Sequence, residues 1–332
     1  MAKPRAYITR QLFKEALEIL NENVDYEIFE GDENSIPRSL LLQKVKDADG
    51  LLCLITERID KEVLDAGKNL KAICNCAVGY NNIDLAEATK RGIFVTNTPG
   101  ILTETTADCA FALMMTIARR IVEGDKNIRA KKWVNAWGLR MFVGADIHEK
   151  TLGIVGLGRI GIAMTNRAKG FNMNVLYYDI ARRRDLETQL GIEYLPLDDL
   201  LARSDFVSMH VPLTEDTTHL IGREELAKMK KTAYLINTSR GSVVEEAALY
   251  EALSNRVIAG AALDVFEKEP LPLDSKLIEL DNIVMTPHIA SASIDTRIAM
   301  AKMAARNLVD ALQDKVPPNC VNPEAKENRV PI

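Results

Sequence analysis

Short apolar runs recur through the first hundred residues and alternate with amphipathic stretches. AYIT near residue 6, YEIF near 26, GLLCLI at 50, AICNCAV at 72 and IFVTNT at 93 are predicted strands. Between them lie segments with a helical period, such as LFKEALEIL, where Leu12, Ala16, Ile19 and Leu20 share a face. Alternating strand and helix predicts a parallel sheet with helices on both sides. Pro99-Gly100 then breaks the chain, and one long helix is expected over residues 103 to 130, with Thr105 and Asp108 as a capping box. Trp133 and Trp137 follow it as an aromatic arm. Helix and arm either meet a second subunit or bridge domains, or the helix is a plain core element.

From Thr151 the alternation restarts. LGIVG, NVLYYD, IEYLP, FVSMHV, AYLINTS, AGAALDV and IVMTPH are seven further strands, enough for a second, larger doubly wound sheet. After His288 the pattern becomes helical. Ile294, Ile298, Ala301, Ala305, Leu308 and Leu312 give one apolar face, Pro317-Pro318 follows, and the tail ENRVPI is expected to be loose. If that last helix returns to the first sheet, the second sheet is an insertion, and a cleft lies between two lobes.

A chain of 332 residues suits two domains. Hydrophobic residues at 47% and charged residues at 27% describe a soluble globular protein. The net charge of −5 is spread over 47 acidic and 42 basic residues without a basic stripe, which argues against nucleic acid. No apolar span, secretory leader or metal-ligand cluster is evident, so a cytoplasmic protein without membrane or metal is expected. The five cysteines are expected as buried free thiols, with Cys74 and Cys76 on one strand face.

The candidate chemistry begins at GIVGLGRIG, which spaces Gly156, Gly158 and Gly161 as G-x-G-x-x-G between a strand and a helix. The first glycine permits the turn, the second lets a pyrophosphate approach, and the third packs helix on strand. Phosphates would lie at the helix N-terminus. Asp179, eighteen residues past Gly161 at the end of the next strand, would accept the adenosine ribose hydroxyls and favour NAD(H). Arg182, Arg183 and Arg184 would instead suit a 2′-phosphate, so NADP(H) stays open. Hydride transfer to a carbonyl needs an anchor, a proton donor and a group that tunes the donor. Arg240, Glu269 and His288, each beyond a late strand, are residues of those three kinds.

The series GLGRIG, HVPLT, NTSRGSVV, AALDVFEKEPL and TPHIASAS resembles the D-isomer-specific 2-hydroxyacid dehydrogenases, as does AVGYNNIDLAEATKRGIFVTNTPGILTETTAD. The match runs from about residue 5 to 322. The resemblance implies two doubly wound parallel-sheet α/β domains, a Rossmann NAD-binding domain at 101–289 inserted in a split flavodoxin-like substrate domain at 1–100 and 290–332. It makes Arg240 the carboxylate anchor, His288 the acid/base at the C2 oxygen, and Glu269 the group that holds His288 and raises its pKa. Gly156, Gly158, Arg159, Ile160, Gly161 and Asp179 would bind the cofactor, with Thr106, Thr238, the His210-Val211-Pro212 stretch on the adenine side, and Asp264 at the nicotinamide carboxamide. The backbone of Val78 and Gly79 would clamp the substrate carboxylate and Leu54 would line the substrate end, with lobe closure excluding water. A homodimer is implied as well.

ITERIDKEVLDA, AVGYNNIDLAEATKRGIFVTNTP and MFVGADI look most like glyoxylate and hydroxypyruvate reductases. Reduction of one of these acids by NADH is therefore expected. The alternatives are another 2-oxo acid (2-ketogluconate, 3-phosphohydroxypyruvate or D-lactate type) or an NAD-sensing, corepressor-like binding protein. At this length the added regulatory domain of long phosphoglycerate dehydrogenases is not expected, and Glu269 stands where formate dehydrogenases of the superfamily have glutamine.

Overall fold

The five apolar runs of the first hundred residues become β1 (Arg5–Ile8), β2 (Asp25–Ile28), β3 (Gly50–Cys53), β4 (Ala72–Asn75) and β5 (Phe94–Thr96) in the computed structural model. It describes residues 3–31 and 34–329. All neighbours pair in parallel, in the order β2-β1-β3-β4-β5, which is the flavodoxin-like order. Period-two alternation divides the side chains between two cores. In β4, Ala72 and Cys74 pack on one face and Ile73 on the other. The connecting helices are α1 (Lys14–Asn23), α2 (Arg38–Lys44), α3 (Lys61–Ala66) and α4 (Leu85–Lys90). Asp60 and Asp84 cap α3 and α4 by accepting from the N–H groups of Val63 and Glu87, which satisfies donors a helix start leaves open.

The chain divides into two units, Met1–Leu102 with Ser293–Ile332, and Thr103–Ala292. The second begins with α5 (Thr103–Ala118) and α6 (Ile121–Arg129), where one continuous helix was predicted. Arg120 takes φ 55° between them, a left-handed conformation that ends the α5 hydrogen-bond ladder. Its side chain is held by Glu123 and lies over the Phe142 ring. Thr105 sits inside α5 rather than at its start, and Asp108 pairs with Arg167 at 2.6 Å, so the expected capping box does not form. Eight buried residues make α5 a core helix, while α6 has none.

The seven later runs form β6 (Thr151–Val155), β7 (Asn174–Tyr178), β8 (Glu193–Tyr194), β9 (Phe206–Met209), β10 (Tyr234–Asn237), β11 (Gly260–Leu263) and β12 (Ile283–Met285). They are joined through α7 (Arg159–Lys169), α8 (Arg184–Leu190), α9 (Leu197–Arg203), α10 (Arg223–Lys228) and α11 (Glu246–Ser254). The parallel order β12-β11-β10-β9-β6-β7-β8 reverses direction between β6 and β9. In doubly wound sheets that switch point opens the crevice in which ligands bind.

The last helix, α12 (Ile294–Leu312), belongs to the first unit and packs on α1, β3 and β4. Its buried face runs Met300, Ala301, Ala304, Ala305, Leu308, Ala311 and Leu312. Ile294, expected on that face, is 75% exposed; the first buried position of the helix is Thr296. The expected loose tail is anchored as far as it is described. Asn328 Nδ2 donates to the Thr89 carbonyl, and Arg329 pairs with Asp314 at 3.1 Å and stacks over Phe94. Residues 330–332 lie outside the described residues.

Candidate active site

The glycine motif meets three geometric demands in the second unit. Gly156 turns the chain out of β6 at φ 97°, and a Cβ there would lie 2.8 Å from the His210 carbonyl carbon. A Cβ on Gly161 would collide with the Gly156 oxygen, so its absence allows α7 to lie close to β6. At Gly158, the exposed N-cap of α7, a Cβ would meet nothing within 4 Å, and no side chain caps the helix. The following N–H groups, those of Arg159 and Ile160, have no acceptor within the helix, so the gap is open to an anion and bordered by donors at the positive helix end.

Asp179 ends just beyond β7, and its Oδ2 accepts from the Leu157 N–H at 2.7 Å, tying the carboxylate to the glycine turn. Of the arginines beyond it, Arg182 is held by Glu187 at 2.8 Å and Arg183 by Asp185 at 2.9 Å. The Arg182 hydrogen bond brings the Glu187 carboxyl down to about 2. Two of the three cations suited to a 2′-phosphate are thus already partnered.

Across the switch point, the His210 backbone and Val211 abut Gly156. His210 Nε2 lies 2.9 Å from Ser208 Oγ, and burial lowers its pKa to about 4. Pro212 follows, exposed. Thr106 is buried in α5, and Thr238, just past β10, has a buried Oγ1 with no partner among the described residues. An open anion gap, a carboxylate one strand over and an orphaned hydroxyl fit an NAD-type dinucleotide. Gly156 through Gly161, Asp179, His210 to Pro212 and Thr238 are the residues that would hold it.

The three residues proposed for chemistry converge in the same unit. His288 Nδ1–H donates to Glu269 Oε2 at 2.7 Å. Burial raises the Glu269 carboxyl, but the hydrogen bond and charge of His288, the Phe266 N–H and the Arg240 charge outweigh it, leaving it below the ordinary glutamate value. The Arg240 guanidinium is lowered by burial and held up by the charge of Glu269. Gly241 lets these parts approach: a Cβ there would collide with the Phe266 carbonyl. The loop carrying Glu269 is pinned by Glu267, whose N–H donates to Glu246 Oε1 at 2.6 Å and whose Oε1 accepts from the Glu246 N–H at 3.1 Å.

His288 sits at φ 54°, a costly conformation for a non-glycine residue. Asp264, fully buried, holds the turn in place. Its Oδ1 accepts from Thr286 Oγ1 at 2.6 Å and from the Ile289 N–H at 2.8 Å, and its Oδ2 from the Ala290 N–H at 2.7 Å. Asp264, expected beside the nicotinamide, has both oxygens engaged at the His288 turn, one strand end from Thr238.

Leu54, Val78 and Gly79 lie in the first unit, at the carboxyl ends of β3 and β4, and are half-buried. Asn82 Nδ2 donates to the Leu54 carbonyl at 3.1 Å, and Asn75 Nδ2 to the Gly79 carbonyl at 2.7 Å. Buried Glu57 accepts from the Leu54 N–H and from Thr9 Oγ1, both at 2.7 Å. Sequence reasoning missed these residues and also Asn237, whose Nδ2 donates to the Arg240 carbonyl at 2.9 Å. The available signal was an asparagine ending an apolar run, since short amides fold back on nearby backbone.

The model of the D-isomer specific 2-hydroxyacid dehydrogenase NAD binding domain matches residues 111–290. A glyoxylate reductase of Korarchaeum cryptofilum is 53% identical over 329 residues, covering 99% of each chain. Among solved structures, a Thermus thermophilus protein superposes with a TM-score of 0.90 at 43% identity, over 96% of this chain and 99% of that one. The NADPH-dependent glyoxylate/hydroxypyruvate reductase of Sinorhizobium meliloti, solved with NADP and malonate, gives 0.87 at 32% identity over the whole of both chains.

Proposed function

Because the chain belongs to the D-isomer-specific 2-hydroxyacid dehydrogenases, NAD(P)-dependent oxidoreductases acting on CH–OH donors, we propose that it reduces glyoxylate to glycolate, with hydroxypyruvate as a second substrate. The observation that carries this reading is the 2.7 Å His288–Glu269 pair in a turn anchored by Asp264, with the Arg240 charge acting on the same glutamate. Full-length identity to glyoxylate reductases supports the choice of substrate.

NAD(H), when bound, supplies or accepts the hydride. Arg240 grips the 2-oxo acid carboxylate through its planar fork. Glu269 engages Nδ1 of His288, which leaves Nε2 to carry the proton. Protonated His288 gives that proton to the C2 oxygen as negative charge develops there, and removes it in the reverse direction. The Glu269 carboxylate fixes the ring and stabilises the imidazolium. In the first unit, the backbone N–H groups of Val78 and Gly79 bind the substrate carboxylate.

NADH is the favoured cofactor, since Asp179 borders the ribose position and Arg182 and Arg183 are occupied. A second copy of the chain covers the apolar arm, where Trp133, Trp137 and Leu139 are 55%, 76% and 79% exposed within seven residues of one another; exposed apolar clusters of this kind mark interaction sites. A monomeric mass by light scattering would refute that dimer. Five free thiols suit a reducing, cytoplasmic setting.

A panel of 2-oxo acids assayed with NADH and NADPH in parallel tests the function. Glyoxylate should have the highest kcat/KM, and with NADH. Turnover confined to another acid would overturn the substrate assignment. Tight cofactor binding with no turnover at millimolar glyoxylate would favour a nucleotide sensor.

A further inference from the structure

In the first unit, the turn after β4 carries three consecutive peptide groups whose carbonyls are all engaged. The Ala77 carbonyl accepts from the Thr98 N–H at 2.8 Å. The Val78 carbonyl accepts from Asn97 Nδ2 at 2.8 Å, and the Gly79 carbonyl from Asn75 Nδ2 at 2.7 Å. These peptides are trans, and in a trans peptide the N–H points opposite to the C=O of its own plane. Anchoring the three oxygens therefore turns the N–H groups of Val78, Gly79 and Tyr80 away from the anchors. Among the described residues, none accepts a hydrogen bond from those three N–H groups. Successive unpartnered donors of this kind form a nest for an anion.

The two asparagines are themselves immobilised. Asn75 is fully buried; its amide also reaches Asn82 Oδ1 at 3.3 Å, and its Oδ1 faces Cys53 Sγ at 3.7 Å. Asn97 is buried, with its N–H on the Asn319 carbonyl at 3.3 Å and its carbonyl accepting from Asn307 Nδ2 at 3.1 Å. Rotating the Asn75 amide would break two hydrogen bonds in a buried site. Rotating that of Asn97, whose backbone is fixed at both its N–H and its carbonyl, would give up its bond to the Val78 carbonyl. Both are costly.

We propose that Asn75 and Asn97 are positioning residues that preset the N–H groups of Val78, Gly79 and Tyr80 as the receptor for the 2-oxo acid carboxylate. The proposal rests on the reading that Val78 and Gly79 bind that carboxylate, and it extends the receptor to Tyr80. Neither asparagine touches the substrate. Each removes the reorganisation that a free turn would need when the anion arrives.

The test compares kcat/KM for glyoxylate with that for methyl glyoxylate, which has the same reacting carbonyl and no carboxylate charge. Asn75→Asp and Asn97→Asp keep the side-chain shape and delete the donor; Asn75→Ala and Asn97→Ala control for the added charge. The acid-to-ester ratio should fall about tenfold or more in each variant, with NADH affinity retained. Equal losses on both substrates, leaving the ratio at the wild-type value, would overturn the proposal, because general loosening does just that. Gly79→Pro deletes one nest donor and tests the underlying reading, with ester turnover certifying the fold. A ratio that falls in Gly79→Pro and not in the asparagine variants removes the positioning role alone. A ratio unmoved in all of them removes the carboxylate site at Val78–Gly79 as well.

Discussion

Replacing Asp264 by asparagine asks what keeps His288 in its left-handed turn. The carboxylate is fully buried and accepts three hydrogen bonds, from Thr286, Ile289 and Ala290. The amide of the same shape keeps one oxygen and sets an NH2 against at least one of those donors. Hydrogen bonds to a charged group contribute about 1.5–3 kcal/mol and neutral ones about 0.5–1.5 kcal/mol. Losing the Ala290 bond and the charge assistance of the other two therefore costs about 3.5–6 kcal/mol. That loss is larger than the roughly 1–3 kcal/mol of strain stored in His288 at positive φ, so the strain is no longer offset and the turn should relax. A displacement of about 1 Å at the proton donor lowers turnover by about a hundredfold. Urea unfolding followed by circular dichroism reads the stability, and NADH oxidation with glyoxylate reads the turnover. Wild-type stability with wild-type kcat would refute the anchoring argument. Unchanged stability with only NADH affinity lost would place Asp264 on the cofactor instead.

Other expectations follow from the same geometry. Asp179→Ser should shift the NADH-to-NADPH preference by about tenfold, and adding Glu187→Gln should shift it further by freeing Arg182; an unmoved ratio in the double variant would refute the selectivity argument. His210 has a folded pKa of about 4 against an ordinary 6.5, so between those values the unfolded chain holds a proton that the folded chain does not. Stability should thus rise with pH across that window by on the order of 3 kcal/mol at most, and His210→Asn should flatten the rise; identical slopes in both proteins would contradict it. Glu269→Gln keeps the shape and removes the charge that supports His288, so kcat should fall by about a hundredfold with NADH affinity intact; a normal kcat would take Glu269 out of the mechanism.

Strands such as β3, β4, β9 and β11 were legible because parallel strands buried on both faces appear as short apolar runs, while β2 and β8, exposed or half-buried, were read from the runs YEIF and IEYLP. The glycine spacing was legible because backbone geometry admits few substitutes at Gly156 and Gly161. The break at Arg120 carried no such signal: arginine is a good helix former, and its left-handed turn is imposed by packing around Phe142 and Glu123. Arg240, Glu269 and His288 could be chosen from their positions past strand ends, yet the 2.7 Å contact of Glu269 with His288 and the Asp264 anchor join segments some twenty residues apart in the chain. Asn75 and Asn97 went unread for a related reason. Their amides bond to backbone carbonyls, and a carbonyl leaves no mark on residue identity.

In the proposed mechanism His288 delivers the proton that accompanies hydride transfer to glyoxylate. Steady-state NADH oxidation by His288→Ala, paired with NADH binding by fluorescence, tests it most directly. In that variant kcat should fall by about 10²–10⁴-fold while NADH affinity stays at the wild-type value. A folded His288→Ala protein that reduces glyoxylate at the wild-type rate would contradict it.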